Sequence, residues 1–125
     1  MITSPSYSYR GNIQHTSIIK AIRSSELQNV KSIVSSFPDA VNEIDPETGK
    51  NAAMLAAAGI LPRYVEVILS QSEHLDFEHV DNFGNNLIVN AQMSQNNEIL
   101  QLVRTAYEDH AAYILNNWPH PSNTL

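Results

Sequence analysis

The sequence contains no cysteine and only four glycines, and both scarcities limit what the chain can be. Without cysteine there are no disulfides, no thiolate metal ligands and no cysteine nucleophile. The few glycines form no Gly-rich phosphate-binding phrase, and no hydrolase-like or kinase-like motif is present. The chain is therefore expected not to be an enzyme.

Positive charge is also scarce. Seven Lys and Arg residues stand against thirteen Asp and Glu residues, which leaves a formal net charge of −6. Proteins that bind nucleic acid place clustered Lys and Arg against the phosphates, whereas the basic residues of this chain are scattered. We therefore expect no nucleic-acid partner.

Long apolar runs are missing as well. No stretch has the length and hydrophobicity of a membrane span, and residues 1–12 lack the apolar core of a secretory signal peptide. These features favour a soluble cytoplasmic protein, or one that a microbe delivers into a host cell by another route.

What the chain does have is an internal repeat with a period of 35 residues. Gly49 and Gly84 each begin a similar phrase, GKNAAMLAA and GNNLIVNAQ. The same offset aligns small and apolar residues in three sets: Ala21, Ala56 and Ala91; Val30, Val65 and Leu100; Ile33, Ile68 and Val103. A fixed period of this length is typical of stacked repeat units.

Each unit has the pattern of two short helices. Apolar spacing predicts helices over 16–23, 27–35, 51–58, 62–69 and 86–93, with Thr16 as the first N-cap and Pro62 in a first helical turn. A last helical stretch begins near Glu98 and ends near Asn117, either as one long helix or as two separated by a kink. The connection between the second and third units is expected to be extended over 75–80.

These elements divide the chain into three parts. We expect an N-terminal arm over 1–15, one repeat domain over 16–118 and a tail over 119–125. Within the domain the units cover about 16–44, 45–80 and 81–105, and residues 106–118 form a C-terminal capping helix over the open end of the core.

The phrase and the period together resemble ankyrin repeats. The middle unit has Gly49, Ala56, Ala57, Val65, Val67, Ile68 and Leu69 at matching places. The third unit has Asp81, Gly84, Ile88, Ala91, Glu98, Ile99, Leu100, Leu102 and Val103, and the first has only Ala21, Val30, Ile33 and Val34. The resemblance implies an all-α, ankyrin-like helical repeat solenoid with short hairpin loops.

The chain departs from the ankyrin pattern at several places. Asn51 and Asn86 replace the usual Thr, and we expect them to cap their helices. Ile60 and Gln95 stand at the place of the turn glycine, and Gly59 is expected to substitute for it in the middle unit.

The resemblance also implies a non-enzymatic protein–protein interaction module without cofactor or metal. The family binds partner proteins in a groove formed by the hairpin tips and the outward face of the first helices. In this chain that surface corresponds to Lys20, Glu47, Thr48, Lys50, Leu55, Asn82, Phe83, Asn85 and Asn90. Leu55 and Phe83 are the expected anchors, because large apolar side chains in a groove often hold a partner.

Two alternatives remain open from the sequence. The C-terminal helix carries Tyr107, Ala111, Ile114 and Trp118 at near-helical spacing, and this face could pair two copies of the chain. The segment 74–81 contains metal-ligating residue types, but alternation along an extended segment would divide them between two sides, so a solvated loop is favoured over a metal-dependent enzyme. His110 is expected to be an ordinary residue of the helix surface.

Overall fold

The computed structural model describes residues 17–117, and this part of the chain is all-α. It contains six α-helices: α1 (Ile18–Arg23), α2 (Leu27–Ser36), α3 (Ala52–Ala58), α4 (Pro62–Leu69), α5 (Leu87–Ser94) and α6 (Asn97–Asn117). Two short 3-10 helices, Pro38–Asn42 and Ser72–His74, lie in the connections. The predicted arm, the tail and Trp118 lie outside the described residues.

The six helices pack as three consecutive pairs in two rows. α1 packs against α2, α3 against α4, and α5 against α6. The first helices contact one another in the order α1, α3, α5, and the second helices in the order α2, α4, α6. One hydrophobic core runs through all three pairs, from Ile18 to Ala106.

The alanine-rich helix α3 lies at the centre of this arrangement. It contacts α1, α4 and α5, and its residues Ala52, Ala53, Met54, Ala56 and Ala57 are fully buried. Small side chains allow neighbouring helices to approach closely on several sides, so this segment can be buried almost all round. The alanine-rich sequence of residues 52–58 is thus consistent with a helix that is surrounded by neighbours.

Helices α3 and α5 begin with the predicted asparagine caps. The side chains of Asn51 and Asn86 accept hydrogen bonds from the N–H groups of Met54 and Val89, at 3.0 Å each. The N-cap of α1 is Ser17, one residue after the predicted Thr16, which is outside the described residues.

Among residues 17–117, three residues that are not glycine adopt a left-handed backbone, and they are spaced 35 residues apart. Ser25, Ile60 and Gln95 have φ values of 58°, 58° and 56°. Each lies in the turn between the two helices of a pair. Gly59 has φ −80°, so the expectation that it replaces the turn glycine is wrong. The left-handed turn lies at the same place in every unit, whichever residue occupies it.

The connections are irregular rather than strand-forming. Over 17–117 the structure contains a single isolated bridge, between Ile44 and Asn51, and no strand. The segment 75–80, which was predicted to be extended, follows the 3-10 helix Ser72–His74. It buries Leu75 and Phe77 and exposes Asp76 and Glu78. Residues 77 and 78 form a turn in which Glu78 N donates a hydrogen bond to Asp76 Oδ1 at 2.9 Å, so the prediction of an extended course over 75–80 is wrong at this place.

The C-terminal stretch is one continuous helix. α6 has 21 residues, which gives a length of about 31 Å, and the alternative with a kink is not observed. None of the helices within 17–117 is long and apolar enough to cross a membrane.

Candidate partner-binding surface

The loop before α3 is organised around a buried carboxylate. Asp45 is only 2% exposed, and its Oδ2 accepts hydrogen bonds from Thr48 Oγ1 at 2.7 Å and from Arg23 at 2.5 Å. The backbone closes the loop, because Gly49 N donates to Asp45 O at 2.7 Å and Asp45 N donates to Lys50 O at 2.8 Å. The loop over 45–50 is therefore held in one conformation by its own first residue.

Asp81 performs the same role in the loop before α5. Its Oδ1 accepts hydrogen bonds from the N–H groups of Phe83 and Asn85, at 2.9 Å each. Gly84 N donates to Asp81 O, and Asp81 N donates to Asn85 O, also at 2.9 Å each. The two loops share one design, with an aspartate at the start and a left-handed glycine near the end, Gly49 or Gly84.

Both aspartates are held in the ionised form. Burial alone would raise the pKa of each carboxyl, but the hydrogen bonds that it accepts reverse this effect. Thr48 and Arg23 lower the pKa of Asp45 below its usual range. Lys50, Asn85 and Asn90 lower the pKa of Asp81 far below its usual range.

Lys50 and Asn90 connect the two loops to helix α5. Lys50 Nζ lies 2.6 Å from Asp81 Oδ2 and 2.7 Å from Asn90 Oδ1. The Asn90 amide also donates to Asn86 O at 2.9 Å. Asn90 is 2% exposed, so its predicted outward orientation is wrong. The ammonium and the amide are engaged inside the protein and hold the loops in place.

Further contacts place the two loop tips side by side. Asn82 N donates a hydrogen bond to Thr48 O at 2.9 Å, and His79 Nε2 lies 2.6 Å from Gly49 O. Gly49 packs so closely on Asn82 that a Cβ at this position would lie 2.8 Å from the backbone nitrogen of Asn82. The tips therefore form a continuous, pre-ordered surface.

The remaining predicted residues are at least partly accessible. Lys20, Glu47, Asn82 and Phe83 are exposed, and Thr48, Leu55 and Asn85 are half-buried. Leu55 packs against the core, so only part of it is accessible. We call the accessible residues the tip surface: Lys20, Glu47, Thr48, Leu55, Asn82, Phe83 and Asn85.

Phe83 is the most accessible large apolar side chain of the tip surface. It is 75% exposed, although its backbone N–H is fixed by Asp81. Lys50 Nζ lies 5.8 Å from the centre of its ring, within the range of a cation–π contact.

Met93 was not predicted and belongs with these residues. It is 64% exposed, and its sulfur accepts a contact of 3.7 Å from the Asn85 amide. Its position one helical turn after Asn90 could not identify it from the sequence, because Asn90 itself is buried. Met93 extends the apolar part of the surface from the loop onto α5.

The segment 74–81 is tied to the protein at several points. Asn42 Nδ2 donates to His74 O at 2.7 Å, and Asp76 N donates to Asn42 Oδ1 at 2.8 Å. His74 Nδ1 lies 3.2 Å from the Asp39 carboxylate. Among the described residues, no group of three or more His, Cys, Asp and Glu side chains could hold a metal ion.

His110 is not an ordinary surface residue. Its ring stacks on Phe77 with the centres 4.4 Å apart, and Tyr107 meets the same Phe77 edge to face at 4.9 Å. The Tyr107 ring therefore packs inside the protein against Phe77. Of the predicted self-association face, Ala111 and Ile114 are exposed and Trp118 lies outside the described part.

Comparison with known proteins identifies no similar protein. No family model matches the chain, and neither the curated proteins nor the solved structures give a significant match. The resemblance to ankyrin repeats stays a prediction that rests on the residues and their period.

Proposed function

We propose that this chain is a small ankyrin-like array of three helix pairs that binds a partner protein through the tip surface. It acts without catalysis and without a cofactor. Recognition depends on a surface whose loops are ordered before the partner arrives, which limits the conformational entropy lost on binding.

The repeat of local structure supports the array. The left-handed residues Ser25, Ile60 and Gln95, and the left-handed glycines Gly49 and Gly84, recur at the 35-residue offset found in the sequence. The two rows of helices extend this similarity to the packing. A chain whose units repeat in sequence, turn conformation and packing fits a stacked-repeat architecture.

The exposure of Phe83 carries the proposal of partner binding. A phenyl ring that is 75% exposed costs solvation free energy unless a partner covers it, and its loop is held by hydrogen bonds to Asp81. Aromatic side chains presented on rigid elements are frequent anchors of protein interfaces. Further apolar area comes from Met93, whose sulfur contacts the Asn85 amide, and from the accessible part of Leu55.

The polar residues of the tip surface have a different role from the buried ones. Lys20, Glu47 and Asn82 are exposed and would lie at the polar rim of an interface. Lys50 and Asn90, which the family resemblance placed in the binding set, instead support the surface from within. In the cytoplasm, or after delivery into a host cell, such a module would serve as an adaptor or as an inhibitor.

Affinity capture with two matched variants tests the proposal. Phe83→Ser removes the exposed ring, and Ile60→Ser removes a 51% exposed apolar side chain from a turn at the far end of α3. A protein captured by the parent should bind it directly in calorimetry, lose affinity for Phe83→Ser and keep affinity for Ile60→Ser. Equal binding to all three proteins would exclude the tip surface as the interface.

Self-association through α6 is a second candidate. Tyr113 is 62% exposed and Ile114 is 37% exposed, so the last turns of this helix present apolar side chains. Light scattering coupled to size-exclusion chromatography would detect a dimer, which Ile114→Glu should dissociate. A strict monomer at the highest accessible concentration would rule this candidate out.

A further inference from the structure

The second helices form an elongated groove on a different side of the protein from the tip surface. We call it the outer groove. It lies between α4 and α6 and has a volume of about 510 Å³. Its lining consists of uncharged polar residues together with Glu66, Leu69, Glu98, Leu102, Ala106 and Asp109. This volume is within the range of protein sites that hold organic ligands. Its lining residues on α6 extend from Glu98 to Asp109, a distance of about 16 Å. The groove is therefore long enough for about three turns of a helix.

The floor of the outer groove is apolar. It consists of the half-buried Leu69 and Leu102 and of Ala106, all of which belong to the core or pack on it. Ala106 provides no side chain beyond Cβ, which leaves room above it. Burial of one or two leucine-sized side chains of a partner at this place would contribute favourable binding free energy.

The rim of the outer groove carries charge of one sign only. Glu66 stands on the α4 side, and Glu98 and Asp109 stand near the two ends of the α6 side. All three are exposed, and the lining contains no Lys, Arg or His. Carboxylates placed around an apolar floor complement cations that flank an apolar side chain.

The neighbouring groove shows that this charge pattern is not general to the fold. It lies between α2 and α4, has a volume of about 380 Å³, and shares Glu66 and Ser70 with the outer groove. Its lining includes Lys31 opposite Glu66, so its charges balance. The outer groove alone of these two surfaces attracts positive charge.

We propose that the outer groove binds a basic amphipathic helix of a partner protein, with a leucine-like side chain on the floor and Lys or Arg residues beside Glu66, Glu98 and Asp109. The acidic character of the whole chain, with a formal net charge of −6, favours the approach of such a segment. The proposal concerns a second interface and does not depend on the tip surface.

A synthetic peptide provides the test. A fluorescein-labelled helical peptide of Ala, Leu and Lys, with its leucines on one face, should bind the full chain saturably in anisotropy titrations. Its dissociation constant should rise with salt. The same peptide with Glu in place of Lys should not bind, and nuclear magnetic resonance shifts should concentrate at Leu69, Leu102 and Thr105.

Matched variants separate the outer groove from general electrostatic attraction. Glu66→Lys/Asp109→Lys should weaken binding by about tenfold or more. The control Glu78→Lys/Glu108→Lys changes the net charge equally at two exposed residues that do not line the groove, and it should weaken binding by less than about threefold. Glu98 is left unchanged because it also lies in the first turn of α6, where a carboxylate stabilises the helix. Thr105→Trp, on an exposed position of the lining, should block the groove without a charge change.

The proposal has clear contrary outcomes. It is overturned if both double variants lose affinity equally, if the shifts fall outside the groove, if Thr105→Trp binds like the parent, or if no saturable binding occurs below about 1 mM. All variants must first show the circular dichroism spectrum of the parent.

Discussion

Lys50 Nζ lies 2.6 Å from Asp81 Oδ2, so the loop before α3 places its cation inside the loop before α5. The Lys50 side chain is 12% exposed and the Asp81 side chain is fully buried. Arg23 makes the corresponding contact with Asp45, but its side chain is 45% exposed. Each loop aspartate is thus paired with a cation from earlier in the chain, and the second pair is the better protected from water.

Loss of the Lys50 charge is predicted to destabilise the protein. Lys50→Met keeps an unbranched side chain that is one atom shorter, and it leaves Asp81 with backbone and amide donors only. The free energy of unfolding should therefore fall by about 2 kcal/mol, between the values for exposed and deeply buried pairs. Urea denaturation followed by circular dichroism measures this change. Lys31→Met, on the exposed face of α2, is the control and should differ from the parent by less than about 0.5 kcal/mol. Equal effects of the two substitutions would contradict a structural role of the pair.

Acid is predicted to destabilise the protein through the loop aspartates. The folded protein lowers the pKa of Asp45 and Asp81, so the unfolded chain binds their protons first as the pH falls. The contribution is complete above about pH 5 and decreases below about pH 4, by at most about 1.4 kcal/mol per pH unit for each carboxyl.

Asp81→Asn tests this assignment. The variant should be less stable than the parent at pH 7, but its stability should fall less steeply between about pH 4 and pH 2. Asp109→Asn, a change on the exposed surface of α6, is the matched substitution and should keep the parental acid profile. A parental slope in Asp81→Asn would show that other groups control acid unfolding.

Local features of the fold could be predicted from the sequence because their signals lie within a few residues. Asn51 and Asn86 each stand at the start of an apolar helical pattern, and both are N-caps in the structure. The apolar period also located the six helices to within a few residues. Capping and helix packing depend on residue types at short spacing, which a single sequence displays.

The candidate site was harder to predict because its contacts join distant residues. Asn90 has the repeat position of an outward residue, but Lys50, 40 residues earlier, draws its amide into a buried network. His110 stacks on Phe77 from another connection, which helical spacing alone does not indicate. The left-handed turn is located at Ile60 rather than Gly59, because the geometry of the helix pair determines its position.

Ile60→Gly is predicted to stabilise the protein. A β-branched side chain at φ 58° is strained, and glycine removes the conflict between Cβ and the backbone, so the free energy of unfolding should rise by about 1 kcal/mol. The exposed Ile60 side chain contributes little packing that would be lost. Thermal and urea unfolding measure the gain. Ile60→Ala retains a Cβ and should not increase the free energy of unfolding. If Ile60→Ala stabilises the protein as much as Ile60→Gly does, the cause is removal of the apolar side chain and not relief of strain.

The two loop glycines allow a comparison of backbone strain with close packing. Gly49 and Gly84 have similar φ values, 74° and 80°, so alanine should cost about 1 kcal/mol at either position from conformation alone. At Gly84 no atom lies within 4 Å of an added Cβ, whereas at Gly49 the Cβ would overlap the side chain and backbone of Asn82. Gly49→Ala should therefore cost a further 1 kcal/mol or more, roughly, because the two loops must separate. Urea unfolding of both variants gives the difference, and hydrogen exchange at the Asn82 amide, which donates to Thr48 O, should accelerate in Gly49→Ala only. Equal losses of stability would mean that the contact between the loops is loose enough to accommodate a methyl group, and the tip surface would then not be rigid.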